Sequence, residues 1–104
     1  AEAGGVEGEQ KVGMDKFRTD FKAKYNADVQ VYAPYVYDAV KVMATAMVNA
    51  GSADPAKYLP ALKSITYKGV TGDIAFDEKG DIKNGALTLY TYKGGQRSQI
   101  AVVR

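Results

Sequence analysis

The sequence predicts an α+β fold in which three helices are followed by about three strands. Apolar residues recur with the spacing of a helix up to about Thr66, and beyond that point they alternate with polar residues as in a strand. Glycine, aspartate and asparagine residues divide the second half into short segments. We therefore expect one domain over residues 1–104, with an irregular lead-in at 1–13, a helical part at 14–66 and a strand and hairpin part at 67–104.

The first predicted helix follows a glycine-rich segment. Residues 1–13 contain four glycines and three glutamates, a composition typical of irregular structure. Four apolar residues then share one helix face while charged residues occupy most other positions: Met14, Phe17, Phe21 and Tyr25. Asn26 tolerates the left-handed conformation that ends many helices, so we expect the helix to stop there.

The second predicted helix lies within residues 32–51 and is unusually apolar. Its polar residues form one narrow stripe: Asp38, Lys41, Thr45 and Asn49. A helix that is apolar around most of its circumference is buried on most sides. Pro34 suits the first turn, and Gly51 suits the C-terminal cap. We interpret Asp38 and Lys41 as an exposed ion pair on the helix face rather than as an acid–base couple.

The third helix and the strands are predicted from caps and turns. Asp54 followed by Pro55 is a typical helix start. Residues 70–76 alternate as in a strand, and a turn follows at 77–81. A second turn at Asn84 and Gly85 precedes the last predicted elements, which are a strand at 86–92, a hairpin turn at 93–96 and a returning strand at 99–103.

The composition excludes several function classes. The chain has no Cys and no His, which excludes disulfides, thiolate nucleophiles, cysteine-based metal sites and a Ser-His-Asp triad. Its net charge of +2 comes from scattered basic residues, whereas nucleic-acid binding usually needs a basic cluster. No apolar run has the length of a membrane span, and residues 1–13 do not resemble a secretory leader. We expect neither an enzyme nor a nucleic-acid-binding or membrane-inserted protein, and no cofactor.

Three local features are candidates for ligand chemistry. The acidic residues at 77, 78 and 81 lack the alternating spacing of a calcium loop, which favours a solvated turn and no metal. The glycines at 69–72 and 93–95 do not match a phosphate-binding loop. The tyrosines at 32, 35 and 37 allow two interpretations. They are either the amphipathic edge of a core or the wall of a ligand pocket at a helix N-terminus.

Four segments together resemble a known family. They are YAPYVYDAV at 32–40, AGSADPAKYLPALK at 50–63, GVTGDIAFDEKGDIKNG at 69–85 and LTLYTYKGG at 87–95. In this order they are similar to the C-terminal part of the periplasmic branched-chain amino-acid-binding proteins, the Leu/Ile/Val-binding subunits of ABC importers. The resemblance extends from about Phe17 to the end of the sequence. It implies that the α+β segment is a fragment of an α/β fold of the type I periplasmic-binding-protein class.

The resemblance also implies a ligand and a site. Family members have two α/β lobes and bind a branched-chain amino acid in the cleft between them. The aromatic residue ahead of the long helix contacts the ligand side chain, and Tyr32 matches that position. The regions that supply the serine, threonine and acidic contacts to the amino acid have no counterpart in this sequence. By resemblance we expect a periplasmic location, an ABC permease as partner, and weak or absent ligand binding by this segment alone.

Two function hypotheses follow from the resemblance and from the apolar second helix. The first is a truncated solute-binding protein that cannot bind its ligand alone. The second is a stand-alone oligomerising interaction module that has lost ligand binding. Because an exposed apolar helix needs a cover, we expect a homodimer or homotrimer formed by exchange of the C-terminal hairpin. The predicted interface residues on the second helix are Val36, Val40, Met43 and Met47.

Overall fold

The computed structural model describes residues 6–104 and contains three helices followed by four short strands. The elements in chain order are α1 (Glu9–Tyr25), α2 (Ala33–Ala50), α3 (Pro55–Lys63), β1 (Thr66–Lys68), β2 (Asp73–Ala75), β3 (Leu87–Lys93) and β4 (Gln96–Val103). The predicted order of helices before strands is confirmed. The structure has four strands where about three were expected, because β1 has only three residues and shows too few alternations to be recognised.

Helix α1 begins earlier than the sequence predicts. The helix starts at Glu9, so residues 9–13 are helical, although they were expected to be irregular. Residues 1–5 of the predicted lead-in lie outside the described residues. Gly13 is the only poor helix former in this added turn, and Glu9 interacts favourably with the positive end of the helix dipole. As expected, Asn26 ends the helix in the left-handed conformation, with a φ of 51°.

The aromatic stripe of α1 packs partly on α2. Met14 is buried, and the ring of Phe17 lies 5.0 Å from that of Tyr37, centre to centre. Tyr25 at the far end of the stripe is exposed. The stripe therefore contributes to the core only over its first half.

An exposed ion pair joins the last turn of α1 to the segment that follows it. Lys22 lowers the pKa of the Asp28 carboxyl, mainly through a hydrogen bond of 2.8 Å and secondly through its charge.

Helix α2 buries one narrow face. Its N-terminal turn contains Pro34, and Gly51 caps its C-terminus in the left-handed conformation, as predicted. Four residues spaced four apart form the buried face: Pro34, Asp38, Val42 and Ala46. The other apolar sides of the helix, including those of Val36 and Val40, are exposed. Burial on most sides, as expected from the composition, is therefore not found within this chain.

The hydrophobic core lies between α2, α3 and the hairpin formed by β1 and β2. The core cluster consists of Val42, Ala46, Ile65 and Ile74. Asp54 caps α3 by accepting a hydrogen bond of 3.1 Å from the amide of Ala56. Strands β1 and β2 pair antiparallel over three residue pairs, and residues 69–72 connect them. Such a short two-stranded hairpin is not stable alone, so contacts with α2 must hold it in place.

Strands β3 and β4 form a separate antiparallel hairpin. They pair from Leu87–Val103 to Lys93–Gln96, with a bulge between Leu89 and Tyr90. Gly94 and Gly95 form the predicted turn, both with positive φ, as tight hairpin turns require. Among the described strands this hairpin pairs with no other, so each of its strands has one open edge. The arrangement predicts a surface that associates readily with other strands.

The chain is more extended than a compact domain of its length. Its radius of gyration is 15.8 Å, and its dimensions are 52 × 33 × 21 Å. A compact domain of this length would have a radius of about 13 Å. Within residues 6–104 no helix is both long enough and apolar enough to cross a membrane. The extended shape and the exposed apolar sides of α2 together indicate that the small core does not use all the apolar surface available.

Thr88 generates a prediction about stability. This residue of β3 is only 7% exposed, and its hydroxyl has no hydrogen-bond partner among residues 6–104. A buried hydroxyl without a partner costs about 1–3 kcal/mol. We therefore expect Thr88→Val, which keeps the shape and removes the hydroxyl, to raise the free energy of unfolding in urea by about 1 kcal/mol. Thr88→Ser is the matched control, since it keeps the hydroxyl and should destabilise. A Val variant less stable than the wild type would show that the hydroxyl has a partner.

Candidate ligand-binding groove

A groove of about 460 Å³ lies between the start of α2 and the strand-forming half of the chain. Its lining is mainly apolar. Tyr32 lines the groove just ahead of α2, helix α2 contributes Tyr35, Asp38, Ala39 and Val42, and the segment around β2 contributes Ile74 and Phe76. The rim is completed by residues 71–73, 82, 84–86 and 104. The volume and the aromatic lining suit a small ligand.

Tyr32 is a solvent-exposed residue of the groove lining. It immediately precedes α2, and 70% of its surface is exposed. Pro34 fixes the first turn of the helix, and this places Tyr32 and Tyr35 on the groove side. Tyr32 and Tyr35 both line the groove. Tyr37 instead packs against Phe17 of α1.

The carboxylate of Asp38 joins α2 to the loop at residues 69–72. Asp38 is only 2% exposed. Its Oδ1 accepts a hydrogen bond of 3.0 Å from the amide of Val70, and its Oδ2 accepts one of 2.8 Å from the amide of Thr71. The Thr71 hydroxyl donates a further short hydrogen bond to Oδ2. A buried carboxylate needs such partners, and three donors from one loop supply them.

Gly69 is required by the close approach of this carboxylate. A Cβ added at residue 69 would lie 2.3 Å from Oδ2 of Asp38, far inside contact distance. The Gly69 amide donates to the carbonyl of Gly72 over 2.9 Å, which closes the loop on itself. Gly72 has a φ of 142°, a conformation that favours glycine. The two glycines therefore allow the loop to fold around a side chain of α2.

The expected exposed ion pair between Asp38 and Lys41 is wrong. Asp38 points into the protein, whereas the Lys41 ammonium lies 5.6 Å from the centre of the Tyr37 ring. Helical spacing placed Asp38 on the polar stripe, but it equally places Asp38 on the face of Pro34, Val42 and Ala46. A buried carboxylate can share that face because the loop at 69–72 satisfies it. The signal that sequence reasoning missed was a glycine-bounded Gly-Val-Thr-Gly loop that needed an acceptor.

The polar groups of the groove are largely engaged within the chain. The Thr71 hydroxyl is bound to Asp38, and the Asp73 carboxylate accepts a hydrogen bond of 2.8 Å from the side chain of Gln10. The groove therefore offers aromatic and aliphatic contacts to a ligand more readily than paired donors and acceptors. It is suited to bind an apolar side chain and poorly suited to hold the charged ends of a zwitterion.

The acidic segment at 77–81 is organised as a turn. The Asp77 carboxylate accepts hydrogen bonds from the amides of Lys79 and Asp81, at 2.8 and 3.0 Å. Gly80 has a positive φ of 89°, as the turn requires. Over residues 6–104 no group of three or more acidic side chains is placed to hold a metal ion. The carboxylate of Asp77 therefore serves to stabilise the backbone of its own turn.

The four residues of α2 expected at an oligomer interface differ in their exposure. Val36 and Val40 are exposed on α2, whereas Met43 and Met47 are half-buried. Val48 continues the exposed stripe toward the end of the helix. The stripe of Val36, Val40 and Val48 faces away from the buried face of α2 and is available for association.

Comparisons with known proteins identify relatives of the chain. Residues 8–95 match the family model described as the receptor family ligand binding region. The leucine-, isoleucine-, valine-, threonine- and alanine-binding protein of Pseudomonas aeruginosa is 40% identical over 81 residues, which cover 77% of this chain and 22% of that protein. The chain therefore spans only about a fifth of the length of this curated relative.

Solved structures support the same fold. A leucine-binding protein of Thermotoga maritima superimposes with a TM-score of 0.75 at 25% identity, covering 99% of this chain and 29% of that one. An ABC transporter substrate-binding protein of Desulfitobacterium hafniense, solved in complex with Leu, gives a TM-score of 0.77 at 24% identity, over 96% of this chain and 30% of that one. The predicted fragment of a periplasmic-binding-protein-like fold is confirmed by these likenesses.

Gly69 generates a prediction with a matched control. We expect Gly69→Ala to lower the free energy of unfolding by about 1–3 kcal/mol, because the added methyl group displaces the Asp38 carboxylate. Gly13→Ala is the control, since its Cβ would meet only Val70 at 3.9 Å. Within α1 this change should stabilise by about 1 kcal/mol. Chemical denaturation followed by circular dichroism measures both. Equal effects of the two substitutions would contradict the close approach at residue 69.

Proposed function

The chain belongs to the family described as the receptor family ligand binding region, and we propose that it forms one wall of the ligand cleft of a branched-chain amino-acid-binding protein. In this proposal the complete protein is the solute-binding subunit of an ABC importer and works in the periplasm. The names of the relatives from Pseudomonas aeruginosa and Thermotoga maritima support the choice of ligand. They also support binding rather than catalysis as the activity.

The groove beside Tyr32 is the observation that carries the proposal. Tyr32 and Tyr35 form one side of it, and Ile74 and Phe76 form the other. An aliphatic side chain of the size of leucine, isoleucine or valine gains about 1.5–3 kcal/mol when such a surface removes it from water. We assign Tyr32 to contact with the ligand side chain, since it lines the groove and 70% of its surface is exposed.

This wall alone is expected to bind the amino acid only weakly. Stripping the charged ends of an amino acid of water without new partners costs several kcal/mol. The Thr71 hydroxyl and the Asp73 carboxylate already have partners within the chain. We propose that the partners of the ligand's carboxylate and amino group come from parts of the protein that the relatives possess beyond the matched region.

A second candidate function is an oligomerising interaction module that no longer binds ligand. It is favoured by the exposed stripe of Val36, Val40 and Val48 on α2 and by the open edges of the hairpin formed by β3 and β4. Covering several valines gives about 1.5–3 kcal/mol for each side chain, a large contribution beside a total stability of about 5–15 kcal/mol. Exchange of the hairpin between subunits would give a dimer or trimer, because each subunit would receive the same contacts that its own hairpin makes.

The ligand proposal is tested by titration of the isotopically labelled chain with L-leucine. We expect no saturable binding at micromolar leucine by calorimetry. At millimolar leucine we expect shifts of the aromatic NMR signals of Tyr32, Tyr35 and Phe76. Tyr32→Ala should abolish the shifts of the other two residues. Tyr92→Ala is the matched control, since Tyr92 is 73% exposed on β3 and outside the groove, compared with 70% for Tyr32.

Two results would contradict this proposal separately. Micromolar affinity would show that the wall is a complete site. Millimolar leucine without any shift in the groove would remove the role assigned to Tyr32.

The oligomer proposal is tested by light scattering on a size-exclusion column at micromolar protein. We expect a mass of two or three times 11.2 kDa. Val40→Lys should reduce the measured mass to that of the monomer, because burying a lysine charge in an apolar interface without a partner of opposite charge is unfavourable. Val12→Lys is the control, as Val12 is 70% exposed on α1 and Val40 is 63% exposed on α2. A monodisperse wild-type mass near 11.2 kDa would rule out the oligomer.

A further inference from the structure

We infer that the loop at residues 69–72 is a carboxylate receptor whose bound carboxylate is the side chain of Asp38, and that Asp38 acts as a positioning residue for the groove. The inference deepens the proposed function, since the role of the groove in ligand contact rests on that proposal. The receptor itself rests only on contacts within the chain. Three donors of one short loop converge on the two oxygens of one side chain: the Val70 amide, the Thr71 amide and the Thr71 hydroxyl.

The geometry favours a receptor over an ordinary buried hydrogen bond. Successive backbone amides of a tight turn form a concave site for anions. The amides of Val70 and Thr71 are adjacent, and each points to a different oxygen of Asp38. At Gly69 the loop and the carboxylate are too close for any side chain, since a Cβ there would overlap Oδ2 of Asp38. The loop therefore matches the size and charge of a carboxylate and holds it without an intervening water.

The receptor determines where one wall of the groove stands relative to the other. Asp38 lies on α2 one turn beyond Tyr35, and it lines the groove itself. The loop it holds leads directly into Asp73 and Ile74 on the opposite side. Strands β1 and β2 share only three residue pairs, so their own pairing cannot set this position. The carboxylate thereby fixes the separation of the aromatic wall from the wall formed by Ile74.

Asp38→Ala with chemical rescue tests the inference. The substitution leaves the loop donors in place and removes the anion, and formate can replace it. We expect the melting temperature of this variant to be higher in sodium formate than in the same concentration of sodium chloride, because formate that binds the folded state stabilises it. The wild type should show no such difference. Asp20→Ala, which removes an exposed carboxylate of α1, is the control and should not respond to formate.

NMR spectra of the same samples test the positioning role. Without formate, we expect the amide signals of Val70 and Thr71 and the methyl signals of Ile74 to move in Asp38→Ala. The methyl signals of Leu59, exposed on α3, should stay in place. Formate should return the loop and groove signals toward their wild-type positions. A folded variant that formate does not change, or one whose groove signals never move, would overturn the inference.

Thr71→Val keeps the inference testable if Asp38→Ala does not fold. This change removes one of the three donors and keeps the side-chain shape. We expect the Val70 and Thr71 amides to exchange with solvent faster by about tenfold or more. Thr71→Ser keeps the hydroxyl and should restore wild-type exchange. Wild-type exchange in Thr71→Val would also overturn the inference. These results do not depend on leucine binding, so the ligand proposal can fail without affecting them.

Discussion

The hydrogen bonds between Asp38 and the loop at 69–72 tie the helical half of the chain to its strand-forming half. Helix α2 has one buried face, and this carboxylate occupies its second turn. A carboxylate removed from water is tolerated only when its oxygens find donors. The loop supplies three of them, and in doing so it settles where β1 and β2 lie on α2. The small core of Val42, Ala46, Ile65 and Ile74 continues the same buried face of α2.

That core is small because the chain places most of its apolar residues elsewhere. The stripe of Val36, Val40 and Val48 on α2 and several residues of the β3–β4 hairpin remain exposed. The radius of gyration of 15.8 Å agrees with this incomplete closure. Solved relatives are more than three times as long as the matched region. The matched region is therefore a minor part of each of those structures.

The groove shows the same one-sidedness in its chemistry. Its aromatic and aliphatic lining is present, whereas the hydroxyl of Thr71 and the carboxylate of Asp73 are used internally. In the proposed function, this wall provides shape and apolar contact, and charge and hydrogen bonds come from other parts of the protein. The loop at 69–72 satisfies its polar amides on Asp38, inside the protein, and leads into Ile74 of the apolar lining.

Local chemistry in the sequence was enough to determine that the helices precede the strands and where several elements end. Asn26, Gly51 and Asp54 cap helices as expected, and Gly94 and Gly95 form the hairpin turn. These features depend on backbone conformations that a residue prefers wherever it occurs. The resemblance, carried by four sequence segments, correctly placed the chain in its fold class and in its family.

Only the tertiary structure decided which side of α2 is buried and what Asp38 does. Helical spacing assigns Asp38 to a polar stripe with Lys41 and to a second row with Pro34, Val42 and Ala46 at the same time. The choice between these rows depends on a loop more than thirty residues away in the chain, because only that loop makes burial of a carboxylate favourable. Periodicity along a single element contains no information about such a distant donor. For the same reason, the residues that line the groove opposite the tyrosines could not be predicted from the sequence.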